Sequence, residues 1–180
     1  MVVEDDRLLV KESLAGNSAA FKSIVEKYYE VVYNVAIRLG NRPADAEDVT
    51  QSVFLKAYES LRAYDPAYKF FSWIYRIAVN ESLNLRNHQK RYEELDQDLA
   101  AAEGTTEQLV DEHRLQRIVE NGLMQLKLED RVILVLSHFQ ELSYSEIGYV
   151  LDIPEKTVKS RLYSARQTLK NKLLGTHCIK

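Results

Sequence analysis

Three sets of side chains in this sequence have types and spacings suited to recognition of large partners. Read at 100° per residue, Lys69, Trp73, Arg76, Asn80, Asn84, Asn87 and Arg91 fall on one side of a helix at spacings of three and four. A flat ring stacks on unpaired bases, amides read base edges, and cations hold phosphates. The opposite side carries Phe71, Ile74, Ala78 and Leu85, with Phe70 and Ile77 at its edge, which is an ordinary core stripe. On the stripe alone, a solvated face around a half-buried Trp accounts for the polar side equally well. The second set is Lys156, Lys159, Ser160, Tyr163 and Ser164, flanked by Arg161 and Arg166, in a segment with no acidic residue from Lys156 to Lys180. The third is Asp48, Gln51, Ser52 and Leu55, which share one helical face; an apolar residue beside hydrogen-bonding groups suits protein docking.

Other chemistry finds little support. His88, His113, His138 and His177 have no metal-ligand spacing, and no nucleophile–base pattern stands out, so no metal, cofactor or catalytic residue is expected. The single cysteine, Cys178, has no intrachain partner, and a reducing compartment, the cytoplasm, is the expectation. Met1 to Asp6 is acidic where a signal peptide would be basic, and no apolar run is long enough to span a membrane. The net charge of −3 argues against indiscriminate nucleic-acid binding by the whole surface but leaves room for local basic patches.

The elements that must position these residues read as all-α, with only 6 Gly and 3 Pro in 180 residues and helical periodicity throughout. A short helix over 5–14 stops at Gly16. Asn17 or Ser18 caps a longer one running to about Leu39, which Gly40 and Asn41 end. Pro43 opens the next helix, whose Ala46, Val49, Val53, Ala57 and Leu61 face the core; it fades at Tyr64-Asp65-Pro66. Between Tyr92 and His113 the chain has eight acids and no Lys or Arg, which reads as an acidic, largely unpacked linker over 92–112. A sharper reading makes that segment a nucleic-acid mimic in a basic channel. Helices return over 107–126 and 128–140. Ser143-x-x-Glu146 has the form of a capping box, Asp152-Ile153-Pro154 breaks the helix that follows, and a further helix carries Val158, Leu162, Ala165, Leu169 and Leu173. That pair is a helix-turn-helix, with Gly148 where the crossing leaves no room for a side chain.

With both halves in view, the chain resembles a bacterial sigma factor of the extracytoplasmic-function group. The resemblance rests on Ala46–Leu55 and Phe71–Asn80 in the first half, and on Leu142–Gly148 and Thr157–Leu162 in the second. It implies two small helical domains, sigma region 2 over 1–91 and region 4 over 113–180. Asp48, Gln51, Ser52 and Leu55 would dock on the clamp helices of the polymerase largest subunit, with the flap as a further contact. Tyr68, Lys69, Phe70, Trp73, Arg76, Asn80 and Asn84 would melt and read the −10 element. Lys156, Thr157, Lys159, Ser160, Arg161, Tyr163, Ser164 and Arg166 would read the −35 element. The linker would enter the polymerase near the RNA exit path, and an anti-sigma protein would hold the factor inactive. A linker of roughly 20 residues reaches ~65 Å when extended, enough for both DNA elements to be engaged at once.

The sequence departs from the family pattern at Ser52, where an acid is usual, at Ser164, where Arg is frequent, at Asn84, where Asp is frequent, and at Asp152, a turn position often held by Gly. The rival readings are a two-domain regulator that binds DNA without polymerase, and a helical adaptor. The first calls for a sensory N-terminal half, and no Gly-rich loop or alternating β/α pattern supplies one. The acid-free basic helix argues against the second.

Overall fold

The computed structural model describes residues 6–95 and 111–177, and among these every regular element is helical. The helices are α1 (Asp6–Leu14), α2 (Ser18–Arg38), α3 (Pro43–Glu59), α4 (Phe70–Leu95), α5 (Asp111–Met124), α6 (Leu128–Leu134), α7 (Tyr144–Leu151) and α8 (Glu155–His177). Local chemistry sets their ends. The Asn17 side chain accepts from the Ala19 and Ala20 amides at the start of α2, and Pro43 occupies the first turn of α3. Gly40, at φ +94°, turns the chain between them. The expected helix over 128–140 changes character midway: α6 passes into a π-helical turn at Val135–Phe139.

The first half packs α1 to α4 around Ile24, Val32, Val35, Val53, Phe70, Ile74 and Ala78. The second packs α5 to α8 around Leu123, Val132, Ile133, Leu136, Ile147, Val158 and Leu162. The two halves meet: α7 lies on α4, and α5 touches α2. The α4 core stripe is consequently broader than periodicity suggests. Phe70, Trp73, Tyr75 and Val79 join Ile74 and Ala78 in the interior, while Phe71 and Leu85 are only partly buried. Helix α4 is covered by α2, α3 and α7, so one amphipathic stripe cannot describe it.

Of the acidic linker expected over 92–112, residues 92–95 continue α4 and 111–112 begin α5; residues 96–110 lie outside the described part.

Candidate nucleic-acid interface

The helix-turn-helix is built as its sequence suggests. Ser143 Oγ accepts from the Glu146 amide at 3.3 Å, and Glu146 Oε2 accepts from the Ser143 amide at 2.8 Å. Asp152 ends α7 in the left-handed region, φ 54° and ψ 46°. The Ile153 amide donates back to the Gly148 carbonyl at 3.0 Å. A Cβ on Gly148 would lie 2.9 Å from the Ile153 carbonyl oxygen, so the turn closes tightly only over glycine. Helix α8 buries Val158, Leu162 and Ala165. Its opposite face leaves Lys156, Lys159, Ser160, Arg161, Tyr163, Ser164 and Arg166 exposed, with Thr157 half-buried. Tyr163 is 68 % exposed. Arg166 also reaches beyond its own helix: its Nε donates to His138 Nε2 at 3.2 Å. Burial and the facing Arg166 charge hold the His138 pKa below its ordinary value.

The stripe on α4 separates into parts. Trp73, expected on the outward face, is 7 % exposed, and Phe70 is 1 % exposed. They sit in an aromatic cluster, with Tyr64 and Phe70 5.6 and 5.4 Å from the Trp73 ring and Tyr28 5.7 Å from Phe70. The expectation of an outward-facing Trp73 ring is therefore corrected; the loop from Tyr64 folds over it. The Tyr64 hydroxyl donates to the Tyr68 carbonyl at 2.7 Å and pins that loop in place. Tyr68, Lys69 and Arg76 reach the surface but face α7. The Tyr68 and Tyr149 rings stack at 3.9 Å, Lys69 Nζ lies 2.8 Å from Glu146 Oε1, and Arg76 Nη1 donates to the Tyr149 carbonyl at 3.3 Å. Asn80 and Asn84 are exposed and line two neighbouring grooves between α3 and α4. Asp48 and Ser52 line one groove with Asn84, so residues read from sequence as two separate faces adjoin there, while Asn80 lines a neighbouring groove with Lys56 and Glu59.

On α3, Asp48 and Gln51 are exposed, Ser52 is half-buried, and Leu55 is 60 % exposed. One turn on, Tyr58 is 57 % exposed with its ring edge-on to Phe21 at 4.9 Å, extending the apolar surface beside Leu55. Sequence reasoning missed Tyr58, although its i+3 spacing from Leu55 was available. It also missed Tyr149, which nothing in the local pattern distinguishes from a packing residue. No group of His, Cys, Asp and Glu among the described residues is arranged to hold a metal ion, and no described helix is long and apolar enough to cross a membrane.

Comparison with known proteins places both halves. Residues 24–92 match the family profile for Sigma-70 region 2, and residues 116–169 match that for Sigma-70, region 4. The chain is 31% identical over 176 residues to the ECF RNA polymerase sigma factor SigW of Bacillus subtilis, covering 91% of this chain and 94% of that one. It is 32% identical over 180 residues to the ECF RNA polymerase sigma-E factor of Escherichia coli K12, covering 93% and 94%. In fold it is similar to CnrH solved in complex with the cytosolic domain of CnrY, with a TM-score of 0.74, 25% identity, and coverage of 96% of this chain and 99% of that one.

Proposed function

Because the chain belongs to the extracytoplasmic-function group of the sigma-70 family, we propose a residue-level division of labour for its work as a promoter-directing transcription initiation factor. Asp48, Gln51, Ser52 and Leu55, extended by Tyr58, dock on the clamp helices of the polymerase largest subunit. Helix α8 enters the major groove of the −35 element, with Lys156, Thr157, Lys159, Ser160, Arg161, Tyr163 and Ser164 at the DNA and Arg166 on its flank. Tyr68, Lys69, Arg76, Asn80 and Asn84 engage the −10 strand. Trp73 and Phe70, being buried, act there by holding the Tyr64–Lys69 loop in shape rather than by stacking on a base from the surface. The working units are region 2 over 1–91, a linker over 92–112 and region 4 over 113–180. The factor acts in the cytoplasm and is not an enzyme. An anti-sigma protein holds it inactive; the fold relative CnrH was solved with a protein partner.

The observation that carries this reading is one chain that combines an exposed recognition helix, without an acid from Lys156 onward, with a separate exposed face of Asp48, Gln51 and Leu55. A DNA-binding regulator needs only the first. The test is capture of purified polymerase core by the chain, followed by promoter-directed transcription. Asp48→Arg is expected to weaken core binding by about 2 kcal/mol or more with helicity and melting temperature nearly unchanged. Undiminished core affinity in that variant removes the docking assignment.

A further inference from the structure

The loop that carries Tyr68 and Lys69 into α4 is shaped partly from within. The Asp65 carboxylate accepts from the Ala67 amide at 2.9 Å, the Tyr68 amide donates to the Asp65 carbonyl at 3.1 Å, and Tyr64 donates to the Tyr68 carbonyl. Those contacts fold the turn on itself. Two adjacent residues of α1 tie it to the rest of the first half. Arg7 Nη2 donates to the Pro66 carbonyl at 3.0 Å, in the middle of the turn. Asp6 accepts from the Tyr28 hydroxyl at 2.7 Å and lies 2.6 Å from Lys27 Nζ. The Tyr28 ring is 5.7 Å from that of Phe70, the first residue of α4, so Asp6 reaches the end of the loop through Tyr28. Burial, and then the bond to Asp6, raise the Tyr28 pKa and keep its hydroxyl a donor. Burial also raises the Tyr64 pKa, the Arg7 charge opposes that rise and the Asp6 charge adds to it. Both α1 side chains therefore lie within electrostatic reach of the first residue of the loop. Buried Leu9 and Val10 hold α1 itself on α2.

We infer that Asp6 and Arg7 are positioning residues for promoter opening. Arg7 holds the turn at Pro66, and Asp6 holds its exit at Phe70 through Tyr28, so that Tyr68 and Lys69 are presented in the geometry a melted strand needs. The inference rests on the −10 reading of Tyr68 and Lys69, and it adds two residues that need not touch DNA. A loop already in place loses less conformational freedom when it takes up a strand. The benefit therefore falls on opening rather than on the first encounter with duplex. Arg7 is exposed, so its bond is of modest strength and the effect is several-fold rather than absolute.

The test uses the full chain, alone and bound to purified polymerase core. Trp73 is the single tryptophan and lies under the loop, 5.6 Å from the Tyr64 ring, so its fluorescence reports how the loop is packed. Arg7→Ala should make Trp73 about twofold more open to acrylamide quenching, with circular dichroism and core capture matching the parent chain. The template is a promoter that the parent holoenzyme selects from a randomised duplex pool. On it, permanganate reactivity of the −10 thymines should fall about fivefold in Arg7→Ala, and a pre-melted bubble of the same sequence should restore binding. Arg7→Gln keeps an N–H donor for the Pro66 carbonyl without the charge, and should recover most of both signals. Asp6→Ala should shift quenching and opening in the same direction as Arg7→Ala; a parent-like result there overturns the two-point grip. Quenching that rises in Arg7→Ala while opening stays intact overturns the inference, and so does no change in either. If Arg7→Gln opens as poorly as Arg7→Ala and the salt slope of promoter binding falls by about one, Arg7 holds a phosphate directly and the positioning role is wrong. Failure of the −10 reading has a different signature. Tyr68→Ala and Lys69→Ala would then leave opening intact while Arg7→Ala still loosens the packing around Trp73.

Discussion

Arg131 carries its charge into the interior at 5 % exposure and meets carbonyl oxygens there. It donates to Leu123, Met124 and Leu126 at the end of α5 and, at 2.9 Å, to Leu39 at the end of α2. Helix C-termini present unpaired carbonyls and partial negative charge, so one guanidinium satisfies two helix ends in different halves. Burial, and then the nearby Arg86, push its pKa down to about 10, and the group remains charged at neutral pH. Arg131→Met should lower stability by about 3 kcal/mol in urea titration, since the carbonyls stay buried without donors. Arg131→Lys should recover little, because an ammonium lacks the planar fork. A change below about 0.5 kcal/mol in Arg131→Met would show that water replaces the guanidinium easily. His138 gives a pH signature. Its folded pKa lies below its unfolded value, so its contribution is present above the ordinary histidine range and is lost as pH falls through the folded pKa. His138→Gln should flatten the fall in melting temperature between neutral and mildly acidic pH; an unchanged slope would place that dependence elsewhere. On α8, Lys159→Ala should cost ~1–3 kcal/mol in −35 duplex binding and relax preference at one position. A uniform loss across sequences would mean that Lys159 holds phosphate only.

At the scale of elements, the turn between α7 and α8 holds one of the two described non-glycine residues with positive φ, the other being Glu141. Asp152 adopts φ 54°, a region that glycine enters without the Cβ cost. Its side chain is 87% exposed and lies 4.0 Å from the Arg76 guanidinium. Asp152→Gly should therefore stabilise the chain by up to about 1 kcal/mol, read as a higher denaturation midpoint. A lower midpoint would give the Asp side chain a larger role than its exposure suggests. Gly148→Ala should act in the opposite sense, by about 1–3 kcal/mol, because the new Cβ meets backbone rather than a movable side chain. The π turn at Val135–Phe139 is the other unusual element. It places Phe139 against the Arg38 guanidinium at 4.3 Å and Gln140 2.6 Å from the Tyr75 hydroxyl, and both contacts join the halves. Burial raises the Tyr75 pKa to about 12, which keeps that hydroxyl a donor across the ordinary pH range.

At the scale of the molecule, the halves are joined by contacts of different strength. Arg131 with Leu39 and Tyr75 with Gln140 are sheltered, whereas Lys69 with Glu146 is open to solvent and salt. Small-angle scattering of the free chain should give a radius of gyration near the compact value, about 16 Å for this length. Raising salt should loosen the α4–α7 side before the Arg131 side, since screening acts mainly on exposed charge. A radius well above that value at low salt would mean that the halves separate without help.

Sequence alone determined the starts of α2, α3 and α7, the capping box and the exposed face of α8, whereas α4 runs past its expected end at Arg91 to Leu95. Each of these depends on residues within a few positions of one another, where propensity and hydrogen-bond geometry are local. The α3 face was legible for the same reason: Val49 and Val53 pack inward, and Asp48, Gln51 and Leu55 are what remains. Tertiary structure decided the fate of α4. Its periodicity has one inward and one outward side, but α2, α3 and α7 cover it from several directions, which took Trp73 and Phe70 inside. The pairing of Tyr68 with Tyr149 and of Lys69 with Glu146 joins residues far apart in the chain. No local pattern encodes such a pairing; only the packing of one folded half on the other brings those side chains within reach.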